Sequence, residues 1–227
     1  MNIIEVRNVT KVYNKKNPFV ALKNVSLNAK KGEFLTENEF VTLLGPSGCG
    51  KTTLLNIIGG IDTDYEGMNK IKGINYHGLS DKELASKRRE DVSFIFQSFH
   101  LMPSLTVEEN ICLSAKIKKY KVNRFELNDV LSQFGLMEKR KSFIDELSRG
   151  QQQRVAIARS LLSRTDIILA DEPTGNLDSK NAQLVFDILK SLTREKQKTV
   201  IFITHNMELA KQSDRIVQIR DGVLYET

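Results

Sequence analysis

The chain has 227 residues, enough for one domain or one with a smaller lobe, and 34 Lys and Arg against 28 Asp and Glu give it a net charge of +6. Its 40% hydrophobic and 27% charged content is ordinary for a globular protein, and no apolar run reaches the roughly 20 residues of a membrane span. Two cysteines, Cys49 and Cys112, are too few for a disulfide framework and fit a reducing compartment, and the polar start of the chain predicts no secretory signal.

From the N-terminus, Ile4, Val6, Val9 and Val12 alternate with polar residues, which predicts an exposed-edge antiparallel strand. Residues 21–27 form a second such run, and 71–74 can add to it, giving a small β-subdomain. Residues 40–44 are a short apolar run, a good buried strand, and residues 54–58 read as a helix. Residues 106–134 read as helical, with a polar break near Val122-Asn123. Residues 167–170 are a fully apolar strand. A helix follows with apolar spacing at Leu184, Val185, Ile188, Leu189 and Leu192, then a β-branched strand over 199–203 and a helix near 207–210. Residues 215–219 and 223–225, joined by Asp221-Gly222, predict a hairpin. Strands alternating with helices predict an α/β fold with a mostly parallel, doubly wound sheet.

Between the 40–44 strand and the following helix lies Gly45-Pro46-Ser47-Gly48-Cys49-Gly50-Lys51-Thr52-Thr53, which fits G-x-x-x-x-G-K-[ST] in the strand–loop–helix context that pattern requires. Its glycines let backbone N–H groups turn inward around phosphate oxygens, and the helix start adds positive dipole. Lys51 can reach the β- and γ-phosphates, and the Thr52 hydroxyl can ligate Mg²⁺. Such a loop alone fits kinases, GTPases and ATPases alike. The strand at 167–170 ends in Asp171 and Glu172, at the end of a parallel strand where ligands bind. Asp171 is placed to hold Mg²⁺ and Glu172 to accept a proton from attacking water. Upstream, Leu147-Ser148-Arg149-Gly150-Gln151 opens an amphipathic helix, so Ser148 and Gly150 sit at a second anion-binding helix start.

Leu-Ser-Arg-Gly-Gln resembles the signature motif of ABC-type ATPases, usually Leu-Ser-Gly-Gly-Gln. The order of phosphate loop, Gln97, signature, Asp171-Glu172 and His205 matches that family over almost the whole chain. Residues 170–178, Ala-Asp-Glu-Pro-Thr-Gly-Asn-Leu-Asp, are similar to one subgroup: lipoprotein-releasing, macrolide-efflux and antimicrobial-peptide-resistance ATPases and a related cell-division ATPase. The resemblance implies a P-loop NTPase core with an antiparallel β-subdomain and a helical subdomain. The core would span about 1–95 and 160–227, and the helical subdomain with the signature about 98–158, of a single 1–227 domain. It implies that Tyr13 stacks on adenine and that Gln97 contacts Mg²⁺ and the attacking water. Ser148, Gly150 and Gln151 would hold nucleotide from the signature side. Asp178 would communicate between paired subunits, and His205 would contact the γ-phosphate. It also implies ATP and Mg²⁺ as ligands, a head-to-tail homodimer, and a membrane-spanning permease whose short helix docks near residues 99–105. The chain would then be cytoplasmic and peripheral on the inner face of the cell membrane. Export or extraction of lipoprotein, peptide or drug-like cargo is the expected output, with mechanical regulation of cell-division or cell-wall enzymes as the alternative.

Three features depart from the family pattern. Arg149 replaces the usual signature glycine, Cys49 sits where small hydroxyl or glycine residues are common, and residues 32–40 are about six residues longer than usual, which predicts an exposed loop. Lysines 116, 118, 119 and 121, and Lys139-Arg140-Lys141, form basic clusters that fit an anionic surface or a plain solvated face; no nucleic-acid partner is expected.

Overall fold

The computed structural model describes residues 2–14, 16–30 and 39–226, so the loop expected within 32–40 lies almost wholly outside the described residues. β1 (Asn2–Tyr13) and β2 (Phe19–Lys30) pair antiparallel, with one face buried and the other open. β3 (Phe40–Leu44) is buried at all five positions, as a strand covered on both faces must be. It leads through the glycine-rich loop into α1 (Lys51–Ile58). β4 (Glu66–Ile71) and β5 (Ile74–Asn75) return to the first sheet, whose order is β2-β1-β4-β5. β1 is therefore an interior strand and not an edge. Its alternation reports one buried face and carries no information on how many neighbours it pairs with. Lys72 and Gly73, at φ 50° and 79°, close the β4–β5 turn, and Asp221 and Gly222, at 48° and 75°, close the C-terminal hairpin. Two positive φ values are what a two-residue hairpin turn matching strand twist requires.

α2 (Asp81–Asp91) has no counterpart in the expected elements, because it buries only Leu84 and Asp91 and so carries no apolar stripe. Its local signal is the capping box of Ser80 and Glu83. β6 (Val92–Phe96) follows, then α3 (Val107–Ile117) and α4 (Arg124–Gln133). The polar break at Asn123 is the N-cap of α4, its side chain accepting from the Glu126 N–H at 2.8 Å. α5 (Arg149–Leu162), β7 (Ile167–Asp171), α6 (Ser179–Glu195), β8 (Thr199–Thr204), α7 (Met207–Ala210), β9 (Arg215–Arg220) and β10 (Val223–Glu226) complete the chain. The second sheet runs β10-β9-β3-β8-β7-β6, parallel except for the β9–β10 hairpin.

Strand periodicity divides the interior between the two faces of this sheet. Val41, Leu43, Ile167, Leu169, Ile201 and Ile203 face α1 and the antiparallel sheet. Phe40, Ile168, Ala170, Val200 and Phe202 face the helices α3 to α6. The register then sets the site. Leu44 pairs with Thr204, Ile203 with Asp171, and Asp171 with Phe96, so four parallel strands end level. Among the described residues no helix is long and apolar enough to cross a membrane.

Candidate functional site

The chain leaves those four level strand ends as Gly45, Gln97, Glu172 and His205. In the loop after β3, Gly48 and Gly50 adopt φ values of 79° and 107°, which side-chain-bearing residues resist. A Cβ on Gly50 would meet the Ala21 carbonyl oxygen at 2.5 Å, and one on Gly45 the Ile219 carbonyl oxygen at 2.3 Å. Gly50 precedes α1 with no side chain capping the helix and no acid in its first turn. The positive helix end is thus left for an anion. Lys51 is 4% exposed; its ammonium donates to the Gly45 and Pro46 carbonyls at 2.9 and 2.8 Å and lies 3.7 Å from Glu172 Oε1. Cys49 is buried, its Sγ 4.0 Å from Lys51 Nζ.

Thr52 Oγ1 donates to Asp171 Oδ1 at 3.1 Å. Burial pushes the Asp171 carboxyl above its ordinary range, against the Thr52 hydrogen bond and with help from the neighbouring Glu172 charge. Glu172 has φ 43°, which swings its side chain off the strand line. One oxygen then faces Lys51, and the other lies 3.5 Å from His205 Nδ1. Gln97 is exposed, and its carbonyl accepts from Asn176 Nδ2 at 3.2 Å. A Cβ on Gly175 would stand 2.8 Å from Gln97 Nε2, so the turn after Glu172 packs directly on that amide. Asn176 lies in the 170–178 stretch that carries the subgroup resemblance, but its position there assigns it no contact with Gln97.

A cavity of about 430 Å³ is lined by Ser47, Gly48, Gly50, Lys51, Thr52, Thr53, Gln97, Asp171 and Glu172, with Phe19 and Ala21 on the β2 side; His205 stands behind Glu172 and does not line it. Tyr13 stands beside it, its hydroxyl 3.5 Å from Thr53 Oγ1 and its register partner the cavity-lining Phe19. Ser148, Gly150, Gln151 and Asp178 do not line the cavity. Ser148 caps α5 in a reciprocal box with Gln151, at 3.3 and 2.9 Å, and Asp178 caps α6 through the Asn181 N–H at 3.0 Å. Asn181 links the two helix starts. Its amide donates to Asp178 at 2.6 Å, and a Cβ on Gly150 would meet its Oδ1 at 2.9 Å. Ser148 and Arg149 are exposed, so this second helix start faces outward.

Backbone donors at a helix start, a buried ammonium and an acid-tipped parallel strand together make a nucleoside triphosphate site. A profile of the ABC transporter family matches residues 22–175. An uncharacterised ABC transporter ATP-binding protein of Methanocaldococcus jannaschii is 44% identical over 99% of this chain and 98% of its own. The macrolide export ATP-binding/permease protein MacB of Mannheimia succiniciproducens is 41% identical, and the whole chain aligns with 34% of it. The solved dimeric, post-hydrolysis ATP-binding cassette MJ0796, bound to ADP and Pi, superposes with a TM-score of 0.87 at 40% identity, covering 98% of both chains. The chain belongs to the ABC transporter family. It is an ATP-binding component of that system and an ATPase, built on the P-loop fold expected from the sequence.

Proposed function

We propose that two copies of this chain pair two-fold around ATP, each cavity closed by the other copy's signature helix, and that hydrolysis there drives a separate membrane-spanning exporter. The observation that carries this reading is the division of the site: the start of α1 lines the cavity, while the start of α5, with Ser148 and Arg149 exposed, and the neighbouring start of α6, capped by the exposed Asp178, lie outside it. Two such ends can grip one triphosphate only from two chains. The dimeric cassette neighbour supports it.

Within the closed site, Glu172 takes the proton of the attacking water and His205 holds Glu172 and the γ-phosphate end in line. Lys51 and the partner's Ser148 meet the charge that develops on the phosphoryl oxygens. Thr52 and Asp171 bring two hard oxygens to one point, beside Gln97, and this suits Mg²⁺, which takes few protein ligands and fills its shell with water and phosphate. Bound there, Mg²⁺ would neutralise phosphate charge. Residues 1–95 and 160–227 act as the core in this reading, and about 98–158 as the lobe that carries the signature.

For the membrane partner, a cleft of about 200 Å³ between α2, β6, α3 and α5 carries Arg89, Lys118 and Arg159 and no acidic residue. Arg159 also donates to the Phe99 and His100 carbonyls at 2.9 and 2.6 Å, both residues at positive φ and two and three positions after Gln97. A short partner helix seated beside residues 99–105 would therefore push on the segment that carries Gln97. Export or extraction of lipoprotein, peptide or drug-like cargo fits the similarity to MacB. Co-purification from membranes tests the whole reading: the chain brings down a permease, and Leu101→Glu or Arg89→Glu abolishes that association. ATPase activity per chain should also rise with chain concentration. A strictly monomeric chain with full turnover, unaffected by Ser148→Arg, would refute the pairing.

A further inference from the structure

Lys11 is 3% exposed on β1, and no role assigned so far accounts for it. A lysine that deep is rare unless fully paired. Its ammonium donates to Asp62 Oδ1 at 2.8 Å and to the Asp64 carbonyl at 2.5 Å, and it stands 4.7 Å from the centre of the Tyr13 ring. The second Asp62 oxygen accepts from the Tyr13 hydroxyl at 3.1 Å. One carboxylate thus holds both the cation over the ring and the ring's own oxygen. Asp62 is itself fixed to α1, where its N–H donates to the Asn56 carbonyl at 3.2 Å. Burial works against the Lys11 ammonium, but Asp62 and Asp64 more than offset it and hold its pKa above the ordinary value, so the cation persists at any working pH.

We infer that Lys11 and Asp62 are positioning residues for the nucleotide base: they lock the Tyr13 ring with one face covered by the ammonium, leave the opposite face for a purine, and tie that face to the helix that binds the phosphates. The inference rests on the reading of Tyr13 as the base platform. Its physical content is pre-organisation. Tyr13 is 39% exposed, and free it would lose rotamer freedom on stacking; bracketed at both ends, it has lost that freedom already. The tie through Asn56 fixes the separation between base and phosphate sites, so recognition of one end reinforces the other. A cation on one face of the ring also excludes a base from that face.

The test compares ATP with inorganic tripolyphosphate, which has the phosphates and no base, by calorimetric titration of the full-length chain. Tyr13→Ala removes the platform and should weaken ATP roughly tenfold or more. Lys11→Met, and Tyr13→Phe, which keeps the ring and loses the hydroxyl anchor, should each weaken ATP about three- to tenfold. All three should leave tripolyphosphate within about twofold, and Lys11→Met should add nothing in a Tyr13→Ala background. Tyr13→Phe alters an exposed hydroxyl, so it remains informative if Lys11→Met fails to fold. If Tyr13→Ala weakens ATP while Lys11→Met and Tyr13→Phe do not, the bracket is refuted and the platform stands. Equal losses for both ligands would make Lys11 merely structural, and unchanged ATP binding in Tyr13→Ala would remove the platform and the bracket together.

Discussion

Replacing Glu172 by Gln separates binding from chemistry at this site. The substitution keeps shape and the φ of 43°, and it removes one charge that lies 3.7 Å from Lys51 Nζ and 3.5 Å from His205 Nδ1. Lys51 is 4% exposed and Glu172 19%, so their attraction is screened less than that of a surface pair. In the parent chain Lys51 therefore divides its charge between Glu172 and phosphate. In Glu172→Gln it does not, so ATP binding should hold or tighten. If Glu172 is the proposed general base, its loss costs roughly 10²–10⁴-fold in turnover, or about 3–5 kcal/mol of barrier. Single-turnover hydrolysis of radiolabelled ATP gives the rate, and equilibrium binding of ATP gives the affinity. With chemistry stalled and ATP held, chromatography should show the chain eluting as a pair. Hydrolysis at the parent rate would refute the base assignment. Loss of binding together with turnover would mean that Glu172 organises the loop and does not act on water.

Two further outcomes follow from the divided site. Lys51→Ala and Ser148→Arg chains should each be inactive alone, yet regain up to about a quarter of parent activity when mixed, because half the pairs are mixed and each of those has one seam with both intact halves. Gly150→Ala brings a Cβ to 2.9 Å from Asn181 Oδ1, whose amide Asp178 holds at 2.6 Å; strain of about 2 kcal/mol against about 1 gained in helix propensity should lower the melting temperature by about 2–4 °C, and Asn181→Ala in the same chain should restore most of it.

The half of the cavity proposed to do the chemistry is legible in the sequence because its parts are local. A glycine-rich loop from Gly45 to Thr53 between a strand and a helix reads as an anion cradle, and Asp171-Glu172 at the carboxyl end of a parallel strand reads as lying at the ligand crevice. Legibility failed where meaning depends on distant partners. α2 is a surface helix with a single buried apolar side chain, Leu84, so periodicity is silent and only its cap speaks. β1 alternates like an edge strand although β2 and β4 flank it. Asn181 matters only because Gly150, on another helix, leaves room for it, and Lys11 only because Asp62 lies across a helix end. Resemblance supplied Tyr13, Gln97, Asp178 and His205; no spacing rule would have chosen them.

The proposed pair also has a charge logic that salt can expose. Each chain carries +6, and the surfaces meant to meet bring a helix start worth about half a positive charge against another one, beside Lys51. With no anion between them these ends repel, and a triphosphate between them turns the repulsion into attraction. In the proposed cycle hydrolysis removes the bridging γ-phosphate, so opening needs no separate push. Repulsion across open solvent is screened over about 10 Å at 0.1 M salt and about 3 Å at 1 M, whereas contacts sealed around a buried phosphate are screened far less. Sedimentation of Glu172→Gln across that range should therefore show a nucleotide-free chain whose weak self-association strengthens with salt, and an ATP-bound pair that barely responds. An ATP-bound pair that falls apart as salt rises would mean that exposed surface ion pairs, and not the buried triphosphate, hold the two copies together.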